Sequence, residues 1–219
     1  MRYTIGTNIV SFCDAPERLS DIKDTRMTIT YRYGTGLYIN MTNRCHNDCV
    51  FCIRKLGDSV GDAGSLWLDR EPTREEMLED ILKHDLAKYG EIVFCGYGEP
   101  TERLDDLLWL CSQIKKSGLT TIRVNTNGQS SLIAGYDTAP LFHNLVDKLS
   151  ISLNAAGADE YNVLCKPDFG LETYQAVLDF AKRVKAYVPE VVFSVVAGTT
   201  DIDACNKVAT EMGLQLRVR

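Results

Sequence analysis

Three cysteines, Cys45, Cys49 and Cys52, stand at a C-x3-C-x2-C spacing directly after the strand-like run 36–41. Crowding three thiolates on one loop becomes favourable when a soft metal centre binds them. A [4Fe–4S] cube that transfers electrons normally takes four thiolates. Three thiolates leave one iron without a protein ligand, and an open coordination position is what a metal needs to bind a reactant. The cysteine pattern therefore predicts a catalytic iron–sulfur cluster.

Further unusual residues follow three later predicted strands. Residues 96–100 read Gly-Tyr-Gly-Glu-Pro, residues 125–128 read Asn-Thr-Asn-Gly, and Ser152 and Asn154 share one face of a strand by its two-residue period. The carboxyl ends of parallel strands meet at one edge of a sheet or one mouth of a barrel. We therefore expect these segments to converge on the cysteines.

The cysteine spacing, with the aromatic Phe51 before the last cysteine, resembles that of the radical S-adenosylmethionine (SAM) superfamily. Segment 96–100 resembles the superfamily's Gly-Gly-Glu-Pro motif, with Tyr97 where a glycine is more common, and 125–128 resembles its Asp/Asn-Thr-Asn-Gly segment. The resemblance implies that the three cysteines hold a [4Fe–4S] cluster whose free iron chelates the amino and carboxylate groups of SAM. It also implies reductive cleavage of SAM to methionine and a 5′-deoxyadenosyl radical, which abstracts hydrogen from a substrate.

The resemblance also implies a set of cofactor contacts. In it, segment 96–99 holds the amino group of SAM, Phe51 lies beside the adenine, and the later strand ends supply polar groups. The residues concerned are Phe51, Gly96, Tyr97, Gly98, Glu99, Asn125, Ser152 and Asn154. Glycines let a backbone approach a ligand closely, and a carboxylate accepts from an ammonium. A plain strand-to-helix turn, an Asn-Gly turn, and core packing of Phe51 or Ser152 remain open alternatives.

Strands and helices alternate along most of the chain. The predicted strands are 37–41, 91–95, 121–125, 148–154, 191–196 and 214–218, and 27–36 predicts a strand or hairpin. The predicted helices are one that is capped at Thr73–Glu76 and ends at Gly90, one from Leu104 that ends at Gly118, a short one near 141–145, one within 171–187, and one at roughly 203–212. This order predicts a parallel sheet with helices outside, either open and doubly wound or closed into a partial barrel. The resemblance implies the partial (β/α)6 barrel.

Length and composition indicate the number of domains, the class of partner and the location. The chain has 219 residues, a size that suits one domain, and a formal charge of −6, which argues against sequence-independent binding to duplex phosphate. No apolar run approaches the ~20 residues that span a bilayer, so we expect no membrane contact and a cytoplasmic location. We expect residues 27–219 to form the core domain. Residues 1–26 are either a peripheral extension or a consequence of a biological start at Met27.

Two rival functions use the same cysteines. A zinc-binding structural module would combine them with His46, although four ligands within eight residues make a cramped site. An electron-transfer protein would take Cys95 as the fourth thiolate. The remaining scattered cysteines are expected to be reduced and buried rather than a disulfide framework. Cys165 and Lys166 form a further candidate lip of the mouth, for which a solvated loop is the alternative.

The resemblance carries implications for partners. It implies an oxygen-sensitive cluster and a one-electron reductant such as flavodoxin or ferredoxin. The runs 27–31, 42–45, 51–54 and 161–167 are similar to a small branch of the superfamily that is associated with TatD-type nucleases. A six-stranded barrel with nothing appended would leave a wide lateral mouth, so we hypothesise a large substrate, a protein or nucleic-acid segment. No side-chain acid or base is assigned.

Overall fold

A seven-stranded sheet organises the computed structural model, which describes residues 27–118 and 121–219. The strands are β1 (Thr30–Tyr33), β2 (Gly36–Ile39), β3 (Glu91–Phe94), β4 (Ile122–Thr126), β5 (Lys148–Ser152), β6 (Glu190–Val195) and β7 (Gln215–Val218). The helices are α1 (Arg74–Leu82), α2 (Leu104–Lys116), α3 (Ser130–Ala134), α4 (Ala158–Cys165), α5 (Glu172–Val184) and α6 (Ile202–Glu211). The predictions made for residues 1–26 lie outside the described residues.

The strands lie side by side in chain order, from β1 to β7. β1 and β2 form an antiparallel hairpin, and every later neighbour is parallel. Within the described residues β1 and β7 are the two free edges of the sheet, so the barrel is partial, as predicted. A parallel order with helical crossovers places the carboxyl ends of β2 to β7 on one side.

The two faces of the sheet differ in chemistry. The helix-facing positions are fully buried and apolar, and they include Ile92, Phe94, Ile122, Val124, Leu149, Ile151 and Phe193. Burial of each such side chain stabilises the fold by about 1.5–3 kcal/mol. The alternate positions face the barrel interior and are largely polar, among them Tyr38, Arg123, Asn125, Ser150, Ser152, Ser194 and Arg217. A polar interior indicates that the barrel is built to hold polar groups rather than to close on itself.

Two of the predicted helices differ from the structure. The first ends at Leu82 and not at Gly90, because Asp85 has an extended backbone and a separate 3-10 turn, Leu86–Lys88, follows it. Leu86 is still buried, whereas Leu82 is 55% exposed. The helix that we expected near 141–145 is a 3-10 turn at Ala139–Phe142, where Pro140 occupies its first turn.

The solvated loop considered for the 161–167 lip is wrong. Residues up to Cys165 belong to α4, which buries Tyr161 and Cys165 at 1% and 0% exposure. The two residues are four apart and share one helix face. Asp159 and Glu160 in the first turn favour the positive end of the helix dipole. Those two features were readable in the sequence and would have predicted the helix.

No helix among the described residues is long and apolar enough to cross a bilayer.

Candidate functional site

The cysteine loop leaves the carboxyl end of β2 and carries three partly buried free thiols, Cys45, Cys49 and Cys52. Asn40 anchors the start of the loop: its Nδ2 donates to the carbonyl of Leu66 at 2.7 Å, and its Oδ1 accepts from the N–H of Tyr97 at 3.3 Å. Asn40 itself is fully buried. These bonds fix the loop to the segment before α1 and to the turn after β3.

The carboxyl end of α4 holds the middle of the loop. The N–H of Asp48 donates to the carbonyl of Cys165 at 3.0 Å, and the N–H of Val50 donates to the carbonyl of Leu164 at 2.9 Å. The last carbonyls of a helix have no partner within the helix, so they are free to accept from another segment. The predicted lip is therefore a support for the cysteine loop, and its contacts are made largely by backbone atoms.

A buried polar triad lies behind this support, and the sequence did not reveal it. Gln129 donates from Nε2 to Oδ1 of Asn47 at 2.7 Å and to the hydroxyl of Tyr161 at 3.3 Å. Asn47 donates from Nδ2 to the same hydroxyl at 3.2 Å. Burial raises the pKa of Tyr161, so its hydroxyl stays neutral. The triad joins the cysteine loop, the turn after β4 and helix α4.

The glycines of segment 96–100 let its backbone pack against the cysteine loop. A Cβ added to Gly98 would lie 2.3 Å from the carbonyl oxygen of Thr42 and 2.6 Å from that of Arg44. A Cβ added to Gly96 would lie 2.1 Å from Oδ1 of Asn40. All three distances are far below a van der Waals contact, and the atoms around Gly98 belong to the backbone. Glycine is required here for close approach.

Glu99 is the polar centre of the site, buried at 4% exposure. One carboxylate oxygen accepts from the hydroxyl of Thr126 at 2.7 Å and from both the N–H and the hydroxyl of Thr101. The other accepts from the N–H of Asn127 at 2.7 Å, and the N–H of Glu99 donates to the carbonyl of Arg44 at 2.8 Å. Burial raises the pKa of Glu99, which these donors oppose. Glu99 thus joins the turns after β3 and β4 to the cysteine loop.

Tyr97, which replaces the commoner glycine, has a structural use. Its ring packs with Tyr31 and Leu66 in a small second core, and its hydroxyl donates to the carbonyl of Gly57 at 2.5 Å. Burial raises the pKa of Tyr97. The phenol therefore ties the Gly/Asp/Ser-rich link after the cysteines to the turn after β3. Phe51 is partly buried and packs against the main core.

The remaining predicted contacts lie on the interior side of the barrel. Asn125 accepts from Arg123 at 3.2 Å through Oδ1, and Ser152 accepts from Nη2 of Arg219 at 3.1 Å. Asn154 has a left-handed backbone (φ 57°) and donates from Nδ2 to Sγ of Cys165 at 3.6 Å. Its Oδ1 is buried and has no partner among the described residues. An unpaired buried acceptor beside the cysteine loop is a position that a bound donor would satisfy.

The thiols fit a soft metal centre by their chemistry, although they are not yet gathered around one. Burial, followed by the charge of Glu99, raises the pKa of Cys45 to about 12. Cys49 shares a hydrogen bond with Cys165, which raises the pKa of Cys49. Among the described residues no three Cys, His, Asp or Glu side chains converge closely enough to hold a metal ion. Loading a cluster therefore requires loss of the thiol protons.

The two rival ligands have other partners. The Nδ1 atom of His46 contacts Glu102, and its ring stacks on Phe169 with the centroids 5.0 Å apart. Cys95 follows β3, and Asn125 donates a hydrogen bond to its thiol. Of the scattered cysteines among the described residues, Cys111, Cys165 and Cys205 are free and buried, as predicted, whereas Cys95 is free and only partly buried.

The comparisons with known proteins address the same segments. The family model of the Radical SAM superfamily matches residues 39–207. A probable GTP 3′,8-cyclase of Methanothermobacter marburgensis is 30% identical over 156 residues, which are 69% of this chain and 42% of that protein. The chain thus spans less than half the length of this curated relative.

Solved structures of low identity share the fold. TYW1 with a lysine-pyruvate adduct bound has a TM-score of 0.58 at 17% identity, covering 84% of this chain and 65% of that one. Native anSMEcpe with bound AdoMet has a TM-score of 0.55 at 20% identity, covering 83% and 50%. These likenesses support the partial barrel. No finding speaks for the smaller branch that is associated with TatD-type nucleases.

Proposed function

The chain belongs to the radical SAM superfamily, and we propose that Cys45, Cys49 and Cys52 hold its [4Fe–4S] cluster while the turns after β3, β4 and β5 hold SAM. It is a radical SAM enzyme that uses the cluster and SAM as cofactors. When bound, this cofactor pair supplies reductive cleavage of SAM to methionine and a 5′-deoxyadenosyl radical for hydrogen abstraction. The observation that carries the proposal is the cysteine loop, which is fixed on one side by Glu99 and Gly98 and on the other by α4.

Some residues of the site support the cysteine loop, and others contact SAM. Gly98, Glu99 and the end of α4 hold the backbone of the cysteine loop in place. The unpaired Oδ1 of Asn154 supports its assignment as a SAM contact, since it can accept from a ribose hydroxyl. Phe51, Tyr97, Asn125 and Ser152 stay proposed contacts. For Ser152, a ribose hydroxyl would have to share or replace the bond from Arg219.

The decisive experiment is anaerobic reconstitution with iron and sulfide, reduction, and addition of SAM. We expect 5′-deoxyadenosine and a cluster EPR signal that SAM perturbs. Cys45→Ser, Cys49→Ser and Cys52→Ser should each lose iron, whereas Cys95→Ser should keep both iron and SAM cleavage. A colourless protein holding one zinc would contradict the proposal, and loss of the cluster in Cys95→Ser would favour electron transfer instead.

We further propose a low-potential flavodoxin or ferredoxin as the reductant, because the chain must receive an electron from outside. The sequence similarity of segments 42–45 and 161–167 supports a functional association with a TatD-type nuclease. The free cysteines, which form no disulfide among the described residues, support a cytoplasmic location. The free edges of β1 and β7 support a laterally open mouth that admits a large substrate. Turnover of a small free metabolite without any macromolecule would contradict that last point.

A further inference from the structure

A cavity of about 430 Å³ lies in the barrel interior, towards the amino ends of the strands. Five charged residues line it: Glu91, Arg123, Lys148, Glu190 and Arg217. Three of them, Glu91, Lys148 and Glu190, are the first residues of β3, β5 and β6. The two arginines lie further along β4 and β7. The cavity therefore occupies the end of the barrel opposite to the cysteine loop, and no residue predicted from the sequence to contact SAM lines it.

Arg123 is a buried donor that is only partly satisfied by the described residues. The residue is 6% exposed, and its Nη2 contacts Glu91 at 2.7 Å and the hydroxyl of Tyr38 at 3.0 Å. Its Nη1 donates to Oδ1 of Asn125 at 3.2 Å. Its Nε is also buried, yet it has no partner within the described part of the chain. A buried donor that is held in place on its far side and left unpaired is a position for a bound acceptor.

The charges around the cavity do not balance. Glu91 pairs with Arg123 at 2.7 Å and Glu190 pairs with Lys148 at 3.2 Å, which uses both carboxylates. Arg217 lines the cavity as an exposed residue, and it makes no hydrogen bond and no ion pair with any described residue. Three cations thus face two carboxylates in a chain whose formal charge is −6. The surplus positive charge is local to the barrel interior.

Arg219 adds further positive charge near the carboxyl end of β5, beyond the cavity. Although much of the residue is accessible to solvent, its guanidinium reaches inward and donates to Ser152 at 3.1 Å. Desolvation lowers the pKa of Arg219, and the positive charges of Arg217 and Arg123 act in the same direction. Like charges gathered in this way repel one another, and an anion between them would relieve the repulsion.

We propose that the cavity binds an oxyanion group of the substrate, a phosphate or a carboxylate, through the guanidinium groups of Arg217 and Arg123. The proposal rests on the proposed function, because the anion belongs to the molecule from which hydrogen is abstracted. Guanidinium groups suit this role, since their planar donors match the oxygens of phosphates and carboxylates. Thr126 ends β4 three residues after Arg123, which is about 10 Å at ~3.3 Å per residue. A substrate held at its anionic end would reach from the cavity to the mouth where the cysteines lie.

The test measures, by titration calorimetry, the binding of anions to the cluster-loaded protein in the presence of SAM. The probes are inorganic pyrophosphate, inorganic phosphate and citrate. Arg217→Gln is the deciding variant, because Arg217 has no internal partner whose loss would unfold the protein. Arg183→Gln is the matched control: it removes the same charge from α5, where Arg183 pairs with the half-exposed Asp137 at 3.1 Å.

We expect the wild type and Arg183→Gln to bind one class of probe with equal affinity. Arg217→Gln should bind it about ten- to a hundredfold more weakly, as expected when a charged hydrogen bond is lost. Preference for the phosphates or for citrate identifies the source of the oxyanion. No binding of any probe, or equal affinity in Arg217→Gln and Arg183→Gln, would overturn the inference. Formation of 5′-deoxyadenosine by the same wild-type preparation is measured separately, and its absence would contradict the proposed function alone.

Discussion

The carboxylate of Glu99 accepts the backbone N–H of Asn127 at 2.7 Å, and this bond links the turns that follow two neighbouring strands. The side chain of Asn127 in turn reaches Sγ of Cys45, with Nδ2 at 4.0 Å. Glu99 therefore acts on the cysteine loop from two directions, through Asn127 and through its own N–H on Arg44. The acidic residue of the Gly-Tyr-Gly-Glu-Pro segment supports the site whether or not it also meets the ammonium of SAM.

Glu99→Gln should lower the stability of the protein even in the absence of SAM. The amide offers only one acceptor oxygen in place of two, so either Asn127 or the Thr101–Thr126 pair loses a buried bond. Such a loss costs about 1–3 kcal/mol. Urea unfolding of the wild type, Glu99→Gln and the exposed control Glu211→Gln measures the difference. A variant as stable as the control, but with weaker SAM binding, would show that Glu99 acts only through the cofactor.

Gly98→Ala should prevent cluster loading. The new methyl group would overlap the carbonyls of Thr42 and Arg44, so the backbone of the cysteine loop has to move. Gly57→Ala is the matched control, because a Cβ at Gly57 meets nothing within 4 Å. Iron and sulfide per chain after reconstitution measure the outcome. Full loading in Gly98→Ala would mean that the loop tolerates the displacement and is less tightly fixed than the contacts indicate.

The strands of the sheet were predictable because apolar alternation marks each buried strand, whereas the pattern left their order open between a doubly wound sheet and a partial barrel. Phe94 and Val124, for example, lie on the helix-facing side while Arg123 and Asn125 lie on the interior side, as a two-residue period requires. The carboxyl end of α1 and the 3-10 turn at 139–142 were not predictable in the same way. They depend on the single extended residue Asp85 and on Pro140, and apolar spacing alone does not locate such breaks.

The parts of the candidate site that are short sequence motifs were predictable, whereas contacts between residues far apart in the sequence were not. The three cysteines lie close together in the sequence, and Gly-Tyr-Gly-Glu-Pro is an unbroken segment. The spacing within each motif therefore allowed the prediction. The hydrogen bond between Asn47 and Tyr161 joins residues that are 114 positions apart, and the sequence around neither residue predicts it. The same holds for Gln129, which looks like an ordinary polar residue after an Asn-Gly turn. Such contacts become visible only when the fold brings the segments together.

The capping box at the start of α1 predicts a pH-dependent stability. Thr73 and Glu76 bond reciprocally, and Arg70 followed by the N–H of Thr73 lowers the pKa of Glu76 to about 2. A carboxyl whose pKa is lower in the folded state stabilises the protein above its unfolded pKa of 4.5, and this contribution disappears as the pH falls towards 2. Glu76→Gln should therefore melt below the wild type at pH 7 and match it near pH 2. Glu79→Gln, exposed on the same helix, should show no such convergence, and a difference that persists at low pH would contradict the assignment.

Tyr161→Phe should loosen the cysteine loop, whereas Tyr174→Phe should not. The two rings lie 5.8 Å apart and both are buried, so the substitutions remove the same atom from similar surroundings. The hydroxyl of Tyr161 accepts from Asn47 and Gln129, while that of Tyr174 is buried without a partner among the described residues. Removing the Tyr161 hydroxyl leaves two buried amide donors without this acceptor, which should lower the free energy of unfolding by about 1–3 kcal/mol. Removing the Tyr174 hydroxyl eliminates a buried group that has no partner, so it should not lower the stability. Urea unfolding and the rate at which a chelator strips iron from the loaded protein measure both effects. Equal behaviour of the two variants would mean that the triad does not hold the loop.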